Sequence, residues 1–186
     1  MLERSRSRSC ERALTALLKK EIARMTSPTR IAAVMFAGLL TVTATAHAQV
    51  KHIQNDRSPI ATGVWAGSTY YLSGQLPNPV TPADAAAGKP AVYGDTQQQA
   101  ESALQKIDAL LKEQGLGMKD VVMMHVYLVG DPKKNNAMDF AGLQASYTKH
   151  FGTPEQPNKP ARSAMQVAAL AAAGALVEIE VIAVKP

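Results

Sequence analysis

After Gln49 the chain alternates between short runs of strand-like residues and turn residues. Residues 50–54 predict a first strand, and residues 62–65 and 69–72, joined by Ala66-Gly67-Ser68, predict a β-hairpin. Ser73-Gly74-Gln75 closes it, and Pro77, Pro79, Pro82, Gly88 and Pro90 then interrupt any regular element. At Asp95 the hydrophobic period changes. Ala100, Ala103, Leu104, Ile107, Leu110 and Leu111 recur at helical spacing behind Asp95 and Gln98, which form a capping-box pattern, and Gly115 is a natural stop. The stripe is single-sided, so this helix should lie on a sheet.

The nine residues 121–129 are almost all apolar, and a run of that length predicts an interior strand covered on both faces. His125 within it reads as a packed or hydrogen-bonded histidine. A second helix is expected over about 136–150, where Phe140, Leu143, Tyr147 and Phe151 repeat the stripe. A proline-rich turn leads to two closing strands, one carrying Pro160-Ala161-Arg162-Ser163-Ala164 and the other spanning 177–184. The order β-β-β-α-β-α-β-β is that of an α+β fold, a mixed sheet with two helices on one face. No further element remains for the other face, which makes oligomerisation the economical cover.

Alternation puts Arg162, Ala164 and Gln166 on one strand face and Glu178 with Glu180 on another. If the Gly-containing connection makes these strands neighbours, Arg162 and a glutamate meet. On spacing alone this is a structural ion pair; an anion fork beside a base is the functional alternative.

Charge and composition change the picture at the N-terminus only. Residues 1–48 hold eight basic and three acidic residues, the whole of the formal +5, and the remaining twelve of each sign cancel. The uncharged apolar segment 31–40 follows Arg30 and precedes Ala46-His47-Ala48, the pattern of a secretory signal cleaved after Ala48. A start at Met25 would give that signal a conventional n-region. The expected organisation is therefore a leader, 1–48, and a single domain, 49–186, that is periplasmic or secreted and has no membrane contact after cleavage. Cys10, the one cysteine, lies in the leader, so thiol chemistry is excluded from the mature chain. A neutral domain also lacks the basic footprint that nucleic acid requires.

His52, His125 and His150 show no metal-ligand spacing, and no metal or organic cofactor is expected. Ser73 lacks a nucleophile-elbow context, and Trp65 reads equally as core or as a ligand platform.

Tyr71-Leu72-Ser73-Gly74-Gln75, residues 115–129, Pro160-Ala161-Arg162-Ser163 and Glu178-Ile179-Glu180-Val181-Ile182-Ala183-Val184 together resemble the Rid (YjgF) family of enamine/imine deaminases, over residues 58–184. The resemblance implies a chorismate-mutase-like α+β fold, a homotrimer, and ligand sites in clefts between subunits. It implies that Arg162 grips the carboxylate of a 2-imino or 2-enamino acid, a task suited to a planar guanidinium. Glu178 would orient or activate water, and Ser73 would line the pocket. The chain departs from the best-studied branch at Ala164 (cysteine there), Ile60 (tyrosine) and Gln144 (asparagine). The implied activity is hydrolytic deamination to a 2-oxo acid and ammonia; the alternative is a carboxylate-binding module without hydrolysis. A ribonuclease activity attached to some relatives finds no support in a neutral domain.

Overall fold

The computed structural model describes residues 18–20 and 49–186, so the expected leader, its cleavage point and the alternative start fall outside the described residues apart from 18–20. The chain divides into two units, Met1–His47 and Ala48–Pro186, and the fold is that of the second.

Its strands are β1 (Val50–Ile53), β2 (Gly63–Ala66), β3 (Thr69–Gln75), β4 (Val121–Val129), β5 (Ala161–Val167) and β6 (Val177–Val184), with helices α1 (Thr96–Glu113) between β3 and β4 and α2 (Phe140–Tyr147) between β4 and β5. The order of elements is the one the sequence predicts. Gly67 at φ 62° makes the β2–β3 turn tight, a conformation glycine adopts without strain. Rather than ending at Leu72, β3 runs through Ser73-Gly74-Gln75, with a register shift between Leu72 and Gln75 against β6.

The Asp95 side chain accepts from Gln98 N at 2.8 Å while the Gln98 side chain accepts from Asp95 N at 3.0 Å, the reciprocal capping box. Leu104, Ile107 and Leu111 on this helix are fully buried, each worth about 2 kcal/mol of transfer free energy. Helix α2 is shorter than the expected 136–150, starting at Phe140, the first residue of the apolar stripe, and ending at Tyr147, before Phe151. Asn135 and Asn136 sit at φ 56° and 58°, left-handed positions that no right-handed helix can include, and Asp139 caps the helix instead by accepting from Gly142 N at 3.0 Å.

The six strands form one mixed sheet in the order β1-β2-β3-β6-β4-β5. All pairs are antiparallel except β4 with β5. β5 and β6 are therefore not the neighbours that their short connection suggests in the sequence, because β4 lies between them. The connection, 168–175, carries the chain past β4. Its far end is pinned by Gln99, which is fully buried, accepts from Leu176 N at 2.7 Å and donates to Gly174 O at 3.3 Å. Nothing in the structure explains the alanine-rich composition of the rest of that connection.

Burial along β4 and β6 alternates: Met124, Val126 and Leu128 with Val177, Ile179 and Val181 face the helices, whereas His125, Tyr127, Glu178 and Glu180 stay partly exposed. β4 is thus an interior strand covered within the chain on one face, not two. Its apolar composition on the open face, with Met123 and Val129, is what a second covering layer would use.

The two helices are clamped by Glu101 of α1. Its carboxylate accepts from Ser146 Oγ at 2.8 Å, His150 Nε2 at 3.0 Å and Gln105 Nε2 at 3.0 Å. Burial pushes its carboxyl up, but hydrogen bonds from Ser146 and His150, the charge of His150 and the bond from Gln105 outweigh this, and the group lies below its ordinary value of 4.5. A depressed carboxylate contributes stability that is fully present above its ordinary value and lost as pH falls through the lower folded value. Glu101→Gln should accordingly be less stable than wild type by about 2 kcal/mol at pH 7. In thermal melts at stepped pH the gap should shrink only below 4.5, and a gap that persists undiminished through the acid range would refute the clamp.

Candidate functional site

Parallel pairing with β4 sets Arg162 beside Met124 and Ala164 beside Val126, so both point to the helix-covered face. Above Arg162 lies α2, whose Phe140, Gln144 and Tyr147 are spaced i, i+4, i+7 and hence share one helix face. Arg162 Nη2 donates to Gln144 Oε1 at 2.8 Å. Its Cζ sits 4.1 Å from the Tyr147 ring centroid and 5.6 Å from that of Phe140, both within cation–π range. Nη1 is buried and has no hydrogen-bond partner among the described residues.

The apolar stripe alone places Phe140 and Tyr147 in the core. Leu143, Tyr147 and Phe151 are indeed buried, but Phe140 is 43% exposed and turned to the guanidinium. The i, i+4, i+7 spacing of Phe140, Gln144 and Tyr147 is the signal in the sequence for this cradle. Burial pushes the Tyr147 phenol up, and the Arg162 charge partly offsets this.

Glu178 stands apart from this cluster. It pairs with Tyr127 of β4, three residues along from Met124, so it projects from the opposite face of the sheet with a whole strand between it and Arg162. The ion pair between neighbouring strands that spacing allowed is not formed. Glu178 lies instead against the β3 irregularity, where a Cβ on Gly74 would overlap its Oε1. Next to Gly74, Ser73 Oγ donates to Ala61 O at 2.7 Å and Ser73 N donates to Thr62 O at 3.0 Å, which ties the β3 end to the segment carrying Ile60. Ile60 is 63% exposed. The six residues singled out in the sequence thus fall into two groups within one chain: Arg162 and Ala164 on the helix-covered face with Gln144 of α2 bonded to Arg162, and Glu178 on the opposite face beside the β3 end that Ser73 ties to the segment carrying Ile60.

Along the open face the structure adds a trio the sequence did not connect. His125 Nδ1 lies 2.8 Å from Glu180 Oε1, and Tyr127 OH donates to the same oxygen at 3.2 Å. Burial first, then the charge and hydrogen bond of Glu180 and the charge of Glu178, push the Tyr127 phenol up. His125 is the hydrogen-bonded histidine the sequence predicts, and its partner is Glu180. Among the described residues no three His, Cys, Asp or Glu side chains gather as a metal site requires.

The sequence profile described as endoribonuclease L-PSP matches residues 55–185. A RutC family protein of Haemophilus influenzae is 33% identical over 139 residues, covering 72% of this chain and 95% of that protein. A protein of Escherichia coli K12 named, provisionally, reactive intermediate deaminase TdcF is 34% identical over 140 residues, covering 73% of this chain and 97% of that protein. The crystal structure of Escherichia coli TdcF with bound serine superposes with a TM-score of 0.55 at 30% identity, covering 73% of this chain and 99% of TdcF.

The overlap at Gly74 gives a separable prediction. The backbone there is not in the left-handed region, so Gly74→Ala should change stability by less than about 1 kcal/mol, while its methyl displaces the Glu178 carboxylate. Denaturant melts should be near wild type, and whatever reaction or binding event depends on Glu178 should fall at least about tenfold. Normal function in a folded Gly74→Ala protein would remove Glu178 from the site.

Proposed function

The chain belongs to the endoribonuclease L-PSP family, the YjgF/RutC/Rid proteins, and from that membership we propose that it hydrolyses reactive 2-imino and 2-enamino acids to 2-oxo acids and ammonia. The observation that carries the reading is Arg162 Nη1, a buried charged donor without a partner among the described residues. An unpaired buried charge is costly, and a planar fork whose other edge is already held by Gln144 is suited to a carboxylate. Serine, the molecule bound in the TdcF structure, also carries a carboxylate.

In this reading the carboxylate sits on Arg162 and the C2 carbon of the protonated imine faces water held by Glu178. As the water oxygen bonds to C2, Glu178 accepts its proton and returns it to the nitrogen; the C2–N bond of the tetrahedral intermediate then breaks to release ammonia while the hydroxyl proton passes to the freed Glu178 carboxylate, leaving the 2-oxo acid. An enamine enters after protonation at C3. A protonated imine is already electrophilic, so positioning and one general base suffice. Ser73 and Ile60 would line the side-chain end, and the backbone at Ala164 would lie alongside.

Because Arg162 and Glu178 leave opposite faces of one sheet, the reading has each site assembled from two copies in a homotrimer, a state typical of the family. The partly exposed face with Met123, Tyr127 and Ile182 is the surface such an assembly would cover. The protein would act outside the cytoplasm, as the secretory pattern before Gln49 implies.

A carboxylate-binding module without hydrolysis is the second reading, favoured by Ile60, Gln144 and Ala164 where the best-studied branch has tyrosine, asparagine and cysteine. Ribonuclease action, which the family description names, finds little for a phosphate backbone to hold in a chain whose charge past residue 48 is balanced.

With an imino acid generated by an amino-acid oxidase, Arg162→Ala should lower kcat/KM by about a thousandfold, and Arg162→Lys should not restore it. Unchanged turnover in Arg162→Ala would end the hydrolase reading, while wild-type binding of a 2-oxo acid without imine turnover would establish the module. Complementation tests the assembly. Arg162→Ala and Glu178→Gln, each inactive alone, should on dissociation and equal remixing recover about a quarter of wild-type activity, since one cleft in about four then receives both intact groups. No recovery from mixed, reassembled oligomers would overturn a cleft that takes its arginine from one chain and its glutamate from another.

A further inference from the structure

We infer that Tyr147 is a positioning residue for Arg162, setting the plane in which the guanidinium offers its fork; the inference rests on the reading of Arg162 as a carboxylate anchor. Three observations converge on the ring. Tyr147 is only 7% exposed and is stacked on Phe151, itself 2% exposed, with centroids 4.9 Å apart and planes at 23°. The ring is therefore fixed by the core and not by the arginine. The guanidinium carbon lies 4.1 Å from its centroid, close enough for the flat cation to rest on the ring face. Two helical turns away, Phe140 reaches the same carbon at 5.6 Å.

Both rings come from the one face of α2 that meets Arg162, and the guanidinium carbon is within cation–π range of each. Gln144, between them on the same face, holds Nη2 at 2.8 Å. With Tyr147 against the cation and Nη2 bonded to Gln144, the guanidinium still offers its Nη1 edge, which has no partner among the described residues. Approach in the guanidinium plane at that edge is the geometry of a two-oxygen carboxylate, whereas an aromatic group stacking on the cation would compete with Tyr147.

The two rings differ in what they contribute. Phe140, at 43% exposure, is the outer rim. Tyr147 is the immobile wall, because its other face is backed by Phe151 and its helix is fastened to α1 through Ser146 and Glu101. Removing the Tyr147 ring would free the guanidinium to rotate about its own side chain and to expose Nη1 to water. The charge would remain, and only the pre-set plane would be lost. The expected loss is thus of preference for a carboxylate, not of general binding.

The experiment is calorimetric titration of the purified chain with 2-oxobutanoate and with its primary amide, which keeps the shape and lacks the charge. Wild type and Tyr147→Phe, which retains the ring, should prefer the acid equally. Tyr147→Leu should lose about tenfold of that preference through weaker acid binding, with amide binding unchanged. The acid-to-amide ratio does not depend on how much of the variant is folded, so a destabilised Tyr147→Leu still separates the outcomes. A Tyr147→Leu ratio equal to wild type overturns the positioning role while leaving the anchor intact. A wild type that shows no preference for the acid, matching Arg162→Ala, removes the anchor and the inference with it.

Discussion

Side chains along a strand alternate between faces, and β4 makes that rule decisive for the arrangement of the site. Arg162 is registered against Met124 on one edge of β4, and Glu178 against Tyr127 on the other. Met124 and Tyr127 are three residues apart, an odd number, so their partners leave opposite faces of the sheet. No rotamer of either residue can bring the cation and the carboxylate together within one chain. If the two act on one substrate, two chains are required, and the uncovered face of the sheet is where the second has room.

The helix-covered half is built to hold a charge that is expensive to hold. A guanidinium under α2 loses water, and what it receives within the chain is one hydrogen bond, from Nη2 to Gln144, and the faces of two rings. That leaves Nη1 uncompensated among the described residues. Such a site persists only if its surroundings are firm, and they are. Tyr147 and Phe151 stack in the core, Glu101 collects donors from α2 and the turn after it, and Gln99 fixes the chain where it enters β6. The local cost is carried by a rigid shell whose own hydrogen bonds are made.

Signals in the sequence are legible where the physics is local. The capping box at Asp95, the stop at Gly115 and the limits of β4 each follow from a few adjacent residues, and each is found in place. The limits of α2 are less legible, because the apolar stripe starts with the helix at Phe140 but continues to Phe151, past its last residue Tyr147, while the left-handed Asn135 and Asn136 keep the expected first turn out of it. The adjacency of β5 and β6 fails for a different reason. A short connection with glycine fits a hairpin as well as it fits a crossing past β4, and only the nonlocal pairing decides between them. The periodicity that assigns Phe140 and Tyr147 to the core is the same one that puts them over Arg162, because a helix face that meets a buried cation looks apolar in sequence.

The three departures from the best-studied branch bear unequally on the chemistry. At Gln144 the extra methylene is absorbed: its carbonyl oxygen reaches Arg162 Nη2, so the amide holds the guanidinium directly. Ala164 presents no thiol, yet its backbone is fixed by parallel pairing opposite Val126, and a backbone group needs no side chain to hold water or a leaving nitrogen. Ile60 differs in kind. It is exposed, sits beside the segment that Ser73 ties down, and replaces a polar ring with an aliphatic surface. In an imine hydrolysis driven by placement and one base, the first two substitutions leave the reacting end of the substrate served. In that proposed reaction the third would alter the end that carries its side chain, so the divergence of this chain would bear on which acid is taken more than on what is done to it.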